Sequence, residues 1–470
     1  MNAAASPQEL RVALYSHDSL GLGHTRRNLA IAQALSDTLP GLTGRTVSGL
    51  LITGERTATS YRCPEGFDWV VVPGIRKGEG RYEPRTLAVG TNRLFDIRSA
   101  VISGALASFR PHIVIVDRHA FGVDGELDEP LRALKAAKPD TSFVLGLREV
   151  LDAPEVARAE WEKIGIDRVA ELFDRIWVYG DRAVHDPLAT GELPAEFAPM
   201  VDHTGLLSDG RKTSGRSPAA RRPFVVTMLG GGSDGGAVAR AAAAAPVPGG
   251  MQHLVVTGPQ MPAEVRAEVE ADAGPATKVT TKVSDGLSYV AGAEAAITMG
   301  GYNTIAETLS TDTPALVVPR TLPRAEQLIR ARGLAQAGAI DMLDPSEVTP
   351  EAIGEWLASA VATGEAAARQ SAARAGLDLA GLGHVVDLAA SLSWRTDRAV
   401  EPLPAGPTDA DAAVPVGAVS ADAAAPTGAL GSTPLVRPTA AAASAGPAAL
   451  VALTGSGIAA SIAGVVHAAV

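Results

Sequence analysis

Residues near the middle of the chain could bind a phosphate-bearing nucleotide. An apolar approach leads into Gly300 and Gly301, and a helical pattern over Tyr302–Leu309 follows and carries Glu307. A glycine turn lets the backbone approach a phosphate, and the next helix directs its unpaired N–H groups and its positive dipole end at the anion. Glu307, about two turns along this helix, could accept hydrogen bonds from a ribose diol. The pattern predicts a nucleotide site.

A second group that could do chemistry lies near the amino terminus. The loop HDSLGLGH places Gly21, Gly23 and His24 between an apolar run, Arg11–Ser16, and a helical pattern. Such strand-to-helix turns face the ligand crevice at the carboxyl ends of a parallel sheet. An imidazole with an ordinary pKa of about 6.5 suits proton transfer at neutral pH. We expect His24 to act as a base or to orient an acceptor; the alternative is a packing or capping role.

Asp117 ends another predicted strand, Ile113–Asp117, at the same expected edge of the sheet. It could serve as a second general base or orient His24, although polar residues at strand ends also act as caps. The segment from Gly74 to Arg93 is rich in glycine and arginine and could shape an acceptor site. Its cationic residues could meet an anionic acceptor or a lipid phosphate, or the segment could be a solvated loop; they are Arg76, Lys77, Arg81 and Arg85.

Alternating strand and helix patterns predict that these residues are positioned by two α/β domains, each with a parallel sheet and helices on both faces. The first domain is predicted over residues 10–208. Its strands are expected at residues 11–16, 47–53, 69–72, 113–117, 143–147 and 176–179, and helices at 94–109 and 127–137. A polar stretch between Gly205 and Arg222 predicts the domain boundary.

The second domain, predicted over residues 222–393, begins as the first does. A strand over Pro223–Leu229 runs into a glycine loop that contains Gly231, Gly232 and Ser233, and a small-residue helix follows. This spacing does not match the phosphate loop GxxxxGK[ST] of kinases and ATPases. The remaining strands are expected at residues 253–257, near 279, and at 295–297 and 315–318, and the helices at 263–271, 285–291, 327–335, 350–363, 365–375 and 382–393.

Composition limits the function classes. The 470 residues carry a net charge of −11, which argues against general nucleic-acid binding. Cys63 is the single cysteine, so it forms no intramolecular disulfide and offers no metal-site spacing. The first ten residues lack a signal-peptide pattern. We expect a cytoplasmic protein with no cofactor and no metal.

The central stretch resembles the donor-sugar motif of two-domain GT-B glycosyltransferases, especially the MurG-like enzymes that use a UDP-sugar. It reads GGxxTxxExxxxxxPxxxxPxxxxxxxQ from Gly300 to Gln327, with Thr313 before the proline where the family usually has glycine. The segments GLGHTRRNLAIAQAL and GGGSDGG resemble the loops that open the two domains of that family. The GLGH segment is also similar to a loop of UDP-sugar hydrolases of the pseudaminic acid pathway.

The resemblance implies a GT-B fold, with two Rossmann-like doubly wound domains, and a hexosyltransferase-type activity that needs no metal. Gly300 and Gly301 would meet the diphosphate, Glu307 the ribose and Gln327 the sugar. Gly231, Gly232 and Ser233 would lie beside the diphosphate or sugar, and Gly21 and Gly23 near the acceptor. His24 or Asp117 would take the proton of a glycan or lipid-linked acceptor; the lipid-linked case would bring the protein to the inner face of the membrane as a peripheral protein.

Two other functions remain open from the sequence. With water as the acceptor, the chain would be a nucleotide-sugar hydrolase. Without turnover, it would be a nucleotide-sugar sensor or a scaffold whose partner supplies the chemistry.

The carboxyl-terminal segment has a different composition. Residues 396–470 are dominated by Ala, Pro, Gly, Thr and Ser, and we expect disorder because such a segment buries too little apolar surface to offset its ordering entropy. Residues 448–470 contain no Asp, Glu, Lys or Arg. Their glycines and alanines favour a floppy tail or a loose surface helix over a membrane anchor.

Overall fold

A computed structural model of the protein describes residues 8–17, 22–78, 81–213 and 222–398. Gly21 and the segment beyond Arg398 lie outside these ranges, so the expectations for that glycine and for a disordered tail stay predictions. The last helix continues to Arg398, past the predicted end at Ser393.

The amino-terminal domain is built on a seven-stranded parallel sheet with the strand order β3-β2-β1-β6-β7-β8-β9. A separate antiparallel hairpin is formed by β4 and β5. The strands are β1 Glu9–Tyr15, β2 Thr46–Thr53, β3 Phe67–Val71, β4 Ile75–Lys77, β5 Tyr82–Pro84, β6 Ile113–Asp117, β7 Ser142–Arg148, β8 Arg175–Tyr179 and β9 Val201–His203. Its helices are α1 Gly23–Thr43, α2 Thr91–Phe109, α3 Asp128–Ala137, α4 Pro154–Ile164 and α5 Ile166–Leu172.

The carboxyl-terminal domain repeats this plan with a six-stranded parallel sheet of order β12-β11-β10-β13-β14-β15. Its strands are β10 Phe224–Met228, β11 Gln252–Val256, β12 Thr277–Thr280, β13 Ala296–Thr298, β14 Ala315–Val317 and β15 Asp341–Met342. Its helices are α6 Gly236–Ala244, α7 Ala263–Asp272, α8 Gly286–Ala291, α9 Tyr302–Leu309, α10 Glu326–Gln336, α11 Pro350–Thr363, α12 Glu365–Arg374 and α13 Gly381–Arg398. Short 3₁₀ turns occur at Arg56–Ser60, Val123–Gly125, Ala195–Met200 and Pro345–Glu347.

The predicted plan of two parallel sheets is confirmed. The strands β9 and β15 were not predicted, because three and two residues are too few to show a period. The helices α4 and α5 were also missed. The glycine- and arginine-rich segment from Gly74 to Arg93, in which no strand was predicted, contains the β4–β5 hairpin.

One apolar core joins the two domains through the last helix. Leu35 and Leu39 of α1 are buried in the same cluster as Leu382, Val385 and Val386 of α13. The chain therefore returns from the second domain and packs on α1, the helix whose first turn contains His24. This packing fixes where α1 starts relative to the second domain.

We expect Leu35→Ala to lower the free energy of unfolding by about 2–5 kcal/mol, because it leaves a cavity in this shared core. Leu35 is fully buried, whereas Leu42 on the same helix is 49% exposed. The matched variant Leu42→Ala should change stability by less than about 0.5 kcal/mol. Urea unfolding of both variants measures the difference, and equal losses would contradict the packing described for α1.

Candidate active site

The crevice between the domains brings together the starts of two helices. The side-chain amide nitrogen of Asn303, in the first turn of α9, donates a hydrogen bond of 2.8 Å to the carbonyl oxygen of Gly23. The N-caps of the two helices, Leu22 and Gly301, make no side-chain capping bond. Two helix starts without a side-chain cap among the described residues therefore lie side by side, and the free N–H groups of a helix start favour an anion between or beside them.

His24 and Asp117 are brought together, as one of the sequence interpretations requires. The His24 Nδ1 atom lies 2.9 Å from Asp117 Oδ2. Asp117 is fully buried at the end of β6, and Arg27 donates to both of its oxygens at 2.7 Å. Because Asp117 holds Nδ1–H, the His24 Nε2 atom is the one left to accept a proton. The buried carboxylate orients His24 and is enclosed away from an acceptor.

The electrostatics suit this division of roles. Burial alone would raise the pKa of Asp117, but Arg27 and His24 hold it well below its usual range, so the carboxylate stays ionised. Burial lowers the pKa of His24, with Asp117 opposing the shift and Arg27 and Arg148 adding to it. His24 is therefore neutral at pH 7 and able to accept a proton.

Two more histidines line the same side of the crevice. The rings of His17 and His119 are 4.3 Å apart, and His17 lies 5.4 Å from His24. Burial lowers the pKa of both His17 and His119 well below the usual value, so both are neutral. Arg118, between Asp117 and His119, has a φ of 72°, a costly conformation for a residue with a side chain. Strained backbone conformations of this kind cluster at active sites and ligand-binding sites.

The predicted glycine turn adopts the geometry that its residues suggested. Gly300 has a φ of 84°, and an added Cβ there would lie 3.2 Å from Val317 and 3.4 Å from the Gln327 carbonyl oxygen. Gln327 is therefore beside the turn, and its side-chain oxygen accepts from the Arg320 backbone N–H at 3.3 Å. At Gly301 an added Cβ would meet no atom of the described residues within 4 Å, so these residues leave open space beside the start of α9.

Glu307 lies on the second turn of α9, where two arginines reach it. Its Oε1 atom accepts a hydrogen bond from Arg26 of the other domain and lies 3.6 Å from Arg211 Nη1. Its Oε2 atom faces Gly286 at the start of α8, 3.9 Å from a Cβ built there. The carboxylate is thus held by one oxygen while the other faces the start of α8.

The glycine loop after β10 lies against the same turn. A Cβ at Gly230 would be 3.8 Å from the Thr304 hydroxyl, and one at Gly232 would collide with the Thr257 carbonyl oxygen at 2.0 Å. Gly231 and Ser233 are exposed on this loop. The loop therefore contacts the first turn of α9 through Gly230, whereas Gly231 lies against Gln260. A donor-binding role for Gly231, Gly232 and Ser233 stays a prediction.

The cationic residues of the β4–β5 hairpin divide into two groups. Arg85 is used internally, donating to Ile75 O at 3.0 Å and to Glu55 at 2.8 Å. Arg76, Lys77 and Arg81 are exposed. A cavity of about 760 Å³ is lined by the hairpin and the start of α2, including Arg76, Arg81 and Arg93. An acceptor role for this segment stays a prediction.

Several crevice residues were missed from the sequence. Arg27 could have been predicted, because it lies on one helix face with the apolar residues Ile31 and Leu35 at intervals of four residues. A charged residue on a buried helix face indicates a buried ion pair. Arg211 could not have been predicted: it lies in the polar stretch taken for a linker, yet it donates to Leu207 O at 2.6 Å and to Asn303 at 3.2 Å. The preceding Leu207 is fully buried, so the predicted boundary is partly a packed element.

The described residues contain neither a metal-binding cluster nor a membrane-spanning helix. Within the ranges given above, there is no group of three or more His, Cys, Asp or Glu side chains that could hold a metal ion. Among the described helices, none has both the length and the apolar character needed to span a membrane.

Comparisons with known proteins agree with the fold. Residues 226–381 match the family model described as the glycosyltransferase family 28 C-terminal domain. The chain has the GT-B fold. A comparison with curated protein sequences found no match.

Three solved structures illustrate the shared fold. The glycotransferase of kitacinnamycin has 17% identity and a TM-score of 0.55, with 83% of this chain and 99% of that chain covered. UGT2 of Phytolacca americana has 14% identity and a TM-score of 0.56, with the same coverage of 83% and 99%. MurG of Acinetobacter baumannii has 15% identity and a TM-score of 0.50, with 81% and 99% covered.

A buried ion pair across the crevice gives a prediction about the interface. Arg330 of α10 donates to Glu149, which follows β7, and to the Gly300 carbonyl oxygen at 3.0 Å. Both charged side chains are at most 3% exposed. We expect Glu149→Gln to cost about 3–5 kcal/mol of stability, because it leaves the buried guanidinium without a counter-charge.

The matched control is Glu83→Gln, which breaks the exposed pair with Arg76 at 3.2 Å. That change should cost about 0–1 kcal/mol. Chemical unfolding measures both variants, and a small loss for Glu149→Gln would show that the Arg330 contact is solvated.

Proposed function

We propose that this protein is a glycosyltransferase that moves a hexosyl group from a UDP-sugar to an acceptor hydroxyl without a metal ion. The observation that carries the proposal is that the start of α1, where His24 pairs with Asp117, contacts the first turn of α9, which follows the glycine turn. The Asn303–Gly23 hydrogen bond of 2.8 Å holds the two sides together. A base and an anion site on opposite domains are what a transfer between two bound substrates requires.

The donor side of the proposal rests on the residues around α9. The diphosphate would bind at the N–H groups of Gly301 and the first helical turn, where the space is open. The ribose would bind Glu307, and the sugar would lie toward Gln327. Supporting the choice of nucleotide, UGT2 of Phytolacca americana is described as a complex with UDP-2-fluoroglucose and pterostilbene.

The acceptor side rests on His24. The acceptor oxygen would form a bond to the anomeric carbon, while the bond from that carbon to the β-phosphate oxygen breaks and leaves its electron pair on the diphosphate. His24 Nε2 would take the acceptor proton, and Asp117 would stabilise the resulting imidazolium. The helix end and the neighbouring cations would stabilise the charge that develops on the leaving group.

Nucleotide binding tests the donor site. We expect UDP, at about a hundred times its dissociation constant, to stabilise the protein by about 2.7 kcal/mol, which a thermal shift detects. GDP, dTDP and ADP should give smaller shifts. Glu307→Ala should lose the UDP response, whereas Glu355→Ala, on an exposed position of α11, should keep it.

The outcomes separate the candidate functions. Release of UDP from a UDP-sugar only when an acceptor is present supports transfer, and release without acceptor would identify a hydrolase. UDP binding without turnover would identify a sensor or scaffold. No shift with any of the four nucleotides would refute the donor site.

The pH dependence tests the base. Because the pKa of His24 is lowered from 6.5, we expect kcat/KM to fall at acid pH with a midpoint below 6.5, as the imidazole of the folded protein becomes protonated. His24→Gln should reduce kcat by about 10²–10⁴-fold and remove this acid limb. An acid limb with its midpoint above pH 6.5, or one that persists in the variant, would show that another group takes the proton.

A further inference from the structure

The crevice contains many arginines, and nearly all have a close partner. Each of the following makes at least one contact of 3.0 Å or less to a carboxylate or carbonyl oxygen: Arg26, Arg27, Arg118, Arg211, Arg320, Arg324 and Arg330. Each of these guanidinium groups therefore makes at least one short hydrogen bond within the protein. Arg148 is different.

Arg148 ends β7, and its only ion-pair contact among the described residues is a long one. Its Nη1 atom lies 3.5 Å from Glu326 Oε1, an oxygen that Arg320 already binds at 2.7 Å. The buried Nε–H of Arg148 has no hydrogen-bond partner in the described part of the chain, and neither has the Glu326 Oε2 atom. The Arg148 side chain is 16% exposed. A guanidinium this buried is costly unless its N–H groups are satisfied.

Arg148 lies near the residues that carry the reaction in the proposed function. Glu326 immediately precedes Gln327, which lies against the Gly300 turn. On the other side, Gly146 of β7 pairs with Asp117 of β6, so Arg148 at the end of β7 lies at the sheet edge that carries the His24–Asp117 pair. The charge of Arg148 also contributes to lowering the pKa of His24. Burial lowers the pKa of Arg148 to about 10, so the side chain remains charged at neutral pH. Arg148 thus lies between the base and the glycine turn.

We propose that Arg148 binds an oxyanion of the substrate, either the donor diphosphate or a carboxylate on the donor sugar. The inference rests on the proposed nucleotide-sugar function. A guanidinium fork matches phosphate and carboxylate geometry equally well, so both sources share this chemistry. If the ligand is the diphosphate, Arg148 also faces the oxygen that receives the electron pair when the anomeric C–O bond breaks, and it acts as a catalytic residue supplied by the first domain.

The test is calorimetric titration of the full chain with uridine, UDP, UDP-glucose and UDP-glucuronate, for the wild type and Arg148→Gln. We expect the variant to weaken binding of the charged ligands at least about tenfold, as for loss of a hydrogen bond to a charged group. Uridine, which has no anionic group, should bind equally to both. Arg324→Gln is the matched control, because it removes a positive charge from the same interface but from an arginine paired with Glu160 at 2.7 Å.

The four ligands distinguish the two sources. Equal weakening of UDP and both UDP-sugars assigns Arg148 to the diphosphate, and weakening of UDP-glucuronate alone assigns it to a sugar carboxylate. Unchanged affinity for every ligand, or equal weakening that includes uridine or occurs in Arg324→Gln, overturns the inference while leaving the proposed function standing. A wild type that binds no ligand refutes the proposed function and the inference with it.

Folding of the variant is controlled by a second substitution. Arg148→Lys keeps the charge but lacks the Nε–H and the planar fork, so we expect partial recovery of UDP affinity. If Arg148→Gln does not fold, the lysine variant takes its place, and wild-type affinity in it for every charged ligand overturns the inference.

Discussion

The hydrogen bond from Asn303 to the Gly23 carbonyl oxygen is the contact on which the crevice depends. It joins the first turn of α9 to the first turn of α1, and therefore the second domain to the first. Since His24 follows Gly23 directly, the same contact sets the position of the histidine relative to the open glycine turn. The packing of α13 on α1 supports this arrangement from behind, because both helices belong to one apolar core.

Charge is the second constraint on this interface. A carboxylate as buried as Asp117 is tolerated because Arg27 binds both of its oxygens, and Arg27 in turn lies 5.4 Å from the ring centre of Tyr302 on α9. Arg330 and Glu149 form a second buried ion pair, which joins the two domains. Most of the charge of the crevice is thus neutralised within the protein. Among the described arginines of the crevice, Arg148 makes only a long contact of 3.5 Å, and a charged ligand bound there would complete the balance as proposed above.

The sequence predicted local structure well and contacts between the domains poorly. Strand β6 and helices α9 and α11 have the predicted bounds, because a run of buried residues or a clear helical pattern defines each of them. The pairing of His24 with Asp117 could be proposed because both follow strands of one sheet. The contact between Arg26 and Glu307 could not be proposed, since these residues are 281 positions apart and belong to different domains. Such pairs depend on the packing of whole domains, which leaves no local pattern.

The most direct test of the account is a crystal structure of the protein with UDP. We predict that the diphosphate lies at the N–H groups of the first turn of α9, on the side that faces His24, with the ribose hydroxyls on the Glu307 carboxylate. That result would place the leaving group opposite the proposed base. UDP bound outside the crevice, or bound in it with the diphosphate remote from Gly301, would contradict the proposed transfer mechanism.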